Sequence, residues 1–141
     1  MKKFGIFLLV LLLLCTGCAS KTTAPLLQSS DAARVDHAVM VPQWGGKPQE
    51  TYAAKACVNT ADVRAIVQTL QKAELEEEID TIYGGLNVLF RLYQEDTLVA
   101  ELYIIDGDKV AMNGKFYNCS NLPNLEELYN NLQTAETQII L

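Results

Sequence analysis

Apolar residues recur along this chain at two periods, and the switch between them divides it into elements. In "NTADVRAIVQTLQKAELEEEID", Val63, Ile66, Val67 and Leu70 fall at i, i+3, i+4 and i+7. That spacing forms one stripe of a helix. Asn59 or Thr60 can cap it, and Asp62 suits the positive N-terminal end. The acids from Glu74 to Asp80 do not suit the negative C-terminal end, so the helix is expected to stop between Lys72 and Glu76.

Gly84-Gly85 breaks the chain, and the period becomes two. Leu86, Val88, Phe90 and Leu92 alternate with Asn87, Leu89, Arg91 and Tyr93, and Leu98, Ala100, Leu102 and Ile104 share one face beyond a turn. A two-residue loop would oppose Leu92 to Val99 and mismatch the faces. A three-residue loop, Gln94-Glu95-Asp96, opposes Leu92 to Leu98 and Phe90 to Ala100 and is the register expected here. It sets Arg91 diagonal to Glu101. "DGD" at 106–108 turns the chain so that Ile104 opposes Val110. Asn113-Gly114 suits a type I′ hairpin turn.

Before the helix, "HAVMVPQ" and "ETYAAKACV" flank the turn residues "GGKPQ" and read as a hairpin, although the alanines at 53, 54 and 56 would equally suit a helix. At the other end, Leu125, Leu128, Tyr129 and Leu132 form a second helical stripe, with Pro123, Glu126 and Glu127 near its start. The order is β-β-α-β-β-β-β-α. The expected fold is α+β, an antiparallel sheet with two helices packed on one face. About 100 residues, 36–134, can bury one core. Residues 18–35, rich in Ala, Ser, Thr and Gln, read as a flexible spacer, and 135–141 as a tail.

The first residues have another character. Lys2 and Lys3 precede an apolar run from Phe4 to Leu14, which is too short to cross a hydrocarbon core of ~30 Å. Small residues then lead to Cys18. This is the layout of a cleavable secretory signal over 1–17. Leu14-Cys15-Thr16-Gly17-Cys18 resembles the lipobox of bacterial prolipoproteins. Thr16, Gly17 and Cys18 match, whereas Cys15 stands where an aliphatic residue is usual. The resemblance implies diacylglyceryl transfer to the Cys18 thiol, cleavage after Gly17, and a palmitate-type lipid anchor on the extracytoplasmic side of a cell membrane. Stable anchoring takes two acyl chains, each buried CH₂ contributing ~0.8 kcal/mol. Ala19 is not the Asp that retains such proteins at an inner membrane, so sorting to an outer membrane stays open where one exists. From about Ala38 to Leu132 the chain also resembles uncharacterised small domains of bacterial, mainly Gram-positive, lipoproteins. That likeness rests on the two-strand start, "ADVRAIVQTL", "DGD", "NGKFY" and "LEELYNNL", and implies no defined activity.

Formal charge is −6, from 11 basic and 17 acidic side chains. Removing Lys2 and Lys3 leaves nine bases against the same 17 acids, −8. This argues against nucleic acid and anionic headgroups as partners.

No catalytic constellation emerges, and no enzyme is expected. His37 is the only histidine, no G-x-S-x-G elbow occurs, and Ser29 and Ser30 fall in the spacer. No cofactor or metal site is read. Asp106-Gly107-Asp108 is explained by turn chemistry and lacks the remaining ligands of a calcium loop. The acids at 74, 76, 77, 78 and 80 read as a solvated helix end and loop. Trp44 reads as an aromatic capping the first hairpin, and Asn118-Cys119-Ser120 as a sequon left unused in a bacterial lipoprotein.

Cys57 and Cys119 remain in the mature chain. A disulfide between them and two separately buried thiols are both open, since an extracytoplasmic location permits the bond. Leu89, Tyr93, Val99, Tyr103 and Ile105 would lie on the sheet face away from the helices, which is more apolar than solvation requires. The expected function is a non-enzymatic, membrane-anchored domain that binds an unknown protein or envelope component, and the apolar character of this face equally suits such a contact. The alternative is a small-ligand or metal-responsive sensor using the same face.

Overall fold

The structure, a computed structural model, describes residues 23–44, 47–48, 53–83, 85–133 and 136–137. Within them the chain forms β1 (Ala24–Pro25), a single-turn helix α1 (Ser29–Ala32), β2 (His37–Trp44), β3 (Lys47–Pro48), β4 (Ala54–Cys57), α2 (Thr60–Lys72), β5 (Glu74–Ile79), β6 (Leu86–Gln94), β7 (Thr97–Ile105), β8 (Lys109–Met112), β9 (Lys115–Ser120), α3 (Leu125–Asn131) and β10 (Glu136–Thr137). The strands make one antiparallel sheet in the order β1-β5-β9-β8-β7-β6-β2-β4-β10, with β3 beside β2.

This is the expected α+β architecture. Ala38, Met40, Phe90, Leu92, Leu102, Ile104 and Val110 bury one sheet face against Val63, Ile66, Val67 and Leu70 of α2 and against Tyr129 of α3. Two helices on the same face close the core, which the opposite periods of strand and helix require if both stripes are to leave water. α2 starts where its cap allows: the Asn59 side chain accepts the Asp62 N–H at 2.8 Å. It ends at Lys72, and Ala73 is already extended.

The acids after α2 are not a loop. Glu74–Ile79 is a strand, β5, paired with β9, and it carries a bulge between Leu75 and Glu78. Lys115 Nζ meets Glu78 Oε2 at 2.8 Å, and Asn118 Nδ2 donates to Glu77 Oε1 at 3.1 Å. Among the described residues, the outer side of this strand is paired only with the two residues of β1, and the charges suit such an edge.

The spacer is shorter than expected. β1 pairs with β5, Leu26 N–H donates to the Ala73 carbonyl at 2.8 Å, and Leu26 and Leu27 are each 3% exposed in the main core. Residues 24–35 therefore belong to the domain. At the other end β10 pairs with β4, beyond the expected limit at 134.

The β6–β7 hairpin also differs from its expected register. Its loop is the two residues Glu95 and Asp96, with Gln94 opposite Thr97 and Tyr93 opposite Leu98. A bulge then places Leu92 opposite Ala100, Phe90 opposite Leu102 and Val88 opposite Ile104. Val99 is the extra residue. It restores the parity that a tight turn would otherwise break, and Leu98 is left 48% exposed. Arg91 therefore faces Glu101 directly, Nε to Oε2 at 2.7 Å. The two later turns follow expectation. Ile104 opposes Val110, and Asn113 and Gly114 have φ of 51° and 73°, both positive as a type I′ turn needs.

Candidate functional site

The face away from α2 and α3 carries the residues expected to form an interaction surface, but they do not share one fate. Leu89 opposes Tyr103 and is 1% exposed, packed with Val41, Ala54, Val39 and Tyr103 in a second small core. Ile105 is also buried. Neither offers a contact surface, and Leu89 is enclosed by the other side chains of that second core. Tyr93, Val99 and Tyr103 stay half-buried. The half-exposed Arg91–Glu101 pair lies between the Tyr93 and Tyr103 positions across β6 and β7.

His37 stacks on Tyr93 with ring centroids 4.8 Å apart and planes 4° from parallel. Its Nδ1 lies 2.6 Å from Asp36 Oδ1, and Asp36 Oδ2 accepts the Glu95 N–H at 2.7 Å. The hydrogen bond from Glu95, followed by that from His37, holds the Asp36 carboxyl below its usual range. Histidine and tyrosine are opposite one another in the β2–β6 register, so the strand pairing itself builds the stack. That pairing joins strands far apart in sequence, and no local pattern announces it.

On the helix side the described residues line a half-open pocket of about 400 Å³. Its floor is a cross-strand row, Pro42, Val88 and Ile104 on β2, β6 and β7, extended by Met40. Its roof is α3, through Leu125 and Tyr129. The 106–107 turn and the segment 123–126 form the rim. A Cβ built on Gly85 would land on the Asp106 carboxylate, so the glycine makes room for that side chain. Asn124 Oδ1 accepts the N–H groups of Glu126 and Glu127 at 3.0 and 3.1 Å. The start of α3 is thus capped from within the chain.

The far end of α3 is held by polar groups that hydrophobic periodicity does not reveal. Lys55, 7% exposed, donates from Nζ to the carbonyls of Tyr129 and Leu132 at 2.7 and 3.2 Å, and lies 4.2 Å from the Tyr129 ring centroid. Tyr129 donates its hydroxyl to the Ala53 carbonyl at 2.6 Å, and Asp62 Oδ1 accepts the Gln133 N–H at 3.1 Å. The sequence signal was a lysine inside the small-residue strand "AAKAC".

Cys57 and Cys119 are both buried thiols and are not bridged. β4 and β9 stand five places apart in the sheet order, about 24 Å along the sheet, whereas a disulfide needs Cα atoms within ~7 Å. Burial, followed by the charge of nearby Glu76, pushes the Cys119 thiol up to about 11. Among the described residues no group of three or more His, Cys, Asp or Glu side chains is placed to hold a metal ion. No described helix is long and apolar enough to cross a membrane. The signal over 1–17, Cys18, and the Trp44 side chain lie outside the described residues. No protein-family model, curated protein or solved structure matches this chain.

Proposed function

We propose that this chain is a lipid-anchored extracytoplasmic domain that works by binding rather than catalysis. Cys18 carries the anchor, and a protein of the cell envelope docks on the helix-free sheet face. The observation that carries the binding surface is the set Tyr93, Val99 and Tyr103. These side chains remain half-buried around the Arg91–Glu101 pair while their neighbours Leu89 and Ile105 are enclosed. Aromatic side chains and arginine are the residue types enriched at protein interfaces. The anchor rests on the lipobox-like run 14–18 and the charged, apolar and small-residue order before it.

Cross-linking in intact cells followed by capture of the tagged chain tests the docking surface. A reproducible protein partner is expected, lost in the Tyr93→Ala/Tyr103→Ala variant. A partner captured equally by that variant, or none at all, contradicts the assignment of this face.

A further inference from the structure

Asn113 is the only asparagine in the chain followed by glycine. The pair forms the turn between β8 and β9, where Met112 lies opposite Lys115 across the two-residue loop. Both residues are exposed, with φ of 51° and 73°. Among the described residues, neither the Asn113 carboxamide nor the Gly114 N–H has a hydrogen-bond partner. Nothing lies within 4 Å of the position that a Cβ on Gly114 would take, so the 113–114 peptide has room to rotate. Other asparagines are engaged: Asn59 and Asn124 cap helices, and Asn118 donates to Glu77.

Deamidation needs the next backbone nitrogen to reach the side-chain carbonyl carbon. The five-membered ring closes when Cβ and that nitrogen are eclipsed, at ψ of roughly −120°, the value of the first central residue of a type II′ turn. A type I′ turn holds that residue at the same φ but at ψ of roughly +30°. Rotating the 113–114 peptide plane converts one turn into the other and carries the nitrogen onto the carboxamide. Glycine lets the second residue follow from positive to negative φ at little cost. We propose that Asn113 deamidates spontaneously in the folded protein through this flip, and that the isoaspartyl product breaks the β8–β9 turn. Hydroxide takes the Gly114 N–H proton, and the nitrogen attacks Asn113 Cγ. The N–Cγ bond forms and the Cγ–Nδ2 bond breaks. Nδ2 leaves as ammonia with a proton from water, which returns hydroxide. Water then opens the succinimide at either carbonyl, giving an aspartyl or an isoaspartyl residue. The isoaspartyl form has one more carbon in the backbone, which a two-residue loop cannot absorb while Met112 stays opposite Lys115. Asp106-Gly107 has similar φ, 52° and 77°, but an ionised carboxylate is a poor acyl acceptor, so that turn is an internal control.

The full chain, purified in detergent, is aged at pH 7 and at pH 8 and followed by peptide mass spectrometry. Asn113 is expected to convert before every other asparagine, with isoaspartyl product in excess. The rate should be about tenfold higher at pH 8, because the ionised Gly114 nitrogen rises in that proportion. Urea below the unfolding transition should leave the rate unchanged, since a peptide flip exposes almost no surface. The separated isoaspartyl form should melt below the wild type. Asn113→Asp carries the same added charge on a normal backbone and tolerates positive φ, so it should melt near the wild type. Four results each overturn the proposal: no conversion at Asn113, faster conversion at another asparagine, a rate that climbs with urea in step with the unfolded population, or an isoaspartyl form that melts with Asn113→Asp.

Discussion

The ammonium of Lys55 caps the C-terminal end of α3, donating to the Tyr129 carbonyl at 2.7 Å from a strand 74 residues earlier. A short helix ends with carbonyls that lack intrahelical donors, and here a buried cation supplies them across the domain. Lys55→Met keeps the stem volume and removes the donor. It should lower unfolding free energy by about 2 kcal/mol in urea denaturation, because two shielded carbonyls lose a charged partner. Tyr129→Phe should cost about 1 kcal/mol through the lost bond to Ala53. The two losses should not add, since both act on the same helix end. A Lys55→Met midpoint equal to the wild type would show that the cap contributes nothing.

Leu26 separates a spacer from a structural segment. A leucine on a tether can be truncated at no cost. At 3% exposure, Leu26→Ala should cost about 2–5 kcal/mol. Chemical denaturation of the two forms checks this, and a change below about 0.5 kcal/mol would return residues 24–35 to the spacer.

That segment shows where the chain could and could not be read. α2 and the Asn113-Gly114 turn were legible because each is set by local chemistry: an i, i+3, i+4, i+7 stripe with an Asn59 cap, and two residues that accept positive φ. Leu26 and Leu27 are two adjacent apolar residues with no period to match. β5 was hidden because Glu76, Glu77 and Glu78 face solvent on an edge region and a bulge interrupts its alternation. The β6–β7 register failed for a similar reason, since the extra residue at Val99 compensates the parity that pattern reasoning uses. At the sites, the Tyr93–Tyr103 face was foreseeable by alternation. The enclosure of Leu89 and the pocket depend on which distant strands lie side by side.

Asp36 should make stability depend on pH. Its carboxyl is held below the usual range by the Glu95 N–H and by His37, so the folded state favours the charged form. The contribution is present above the unfolded carboxylate range and is lost as pH falls through the folded value. Between pH 6 and pH 3 the melting temperature of Asp36→Asn should fall less steeply than that of the wild type. Parallel profiles would mean that the link between β2 and the β6–β7 turn carries no linkage.

The Cys119 thiol should be nearly inert in the folded state. At a value of about 11, on the order of a thousandth of it is ionised at pH 8. Iodoacetamide should label it at least about a hundredfold more slowly in the native protein than after unfolding, as read by peptide mass spectrometry. The raised value favours the protonated thiol in the fold, so this contribution is complete below the unfolded value near 9 and declines as pH rises toward 11. Without reductant, unfolding should expose both Cys57 and Cys119 to the reagent. Protection of the pair would instead indicate a bond between them.

The central claim is that Cys18 holds this domain at a membrane by lipid. Metabolic labelling of intact cells with an alkyne palmitate, followed by fractionation, tests it most directly. The wild-type chain should take up the label and sediment with membranes, and Cys18→Ala should do neither. Label retained by Cys18→Ala, or a wild-type chain that takes up none, would contradict the account.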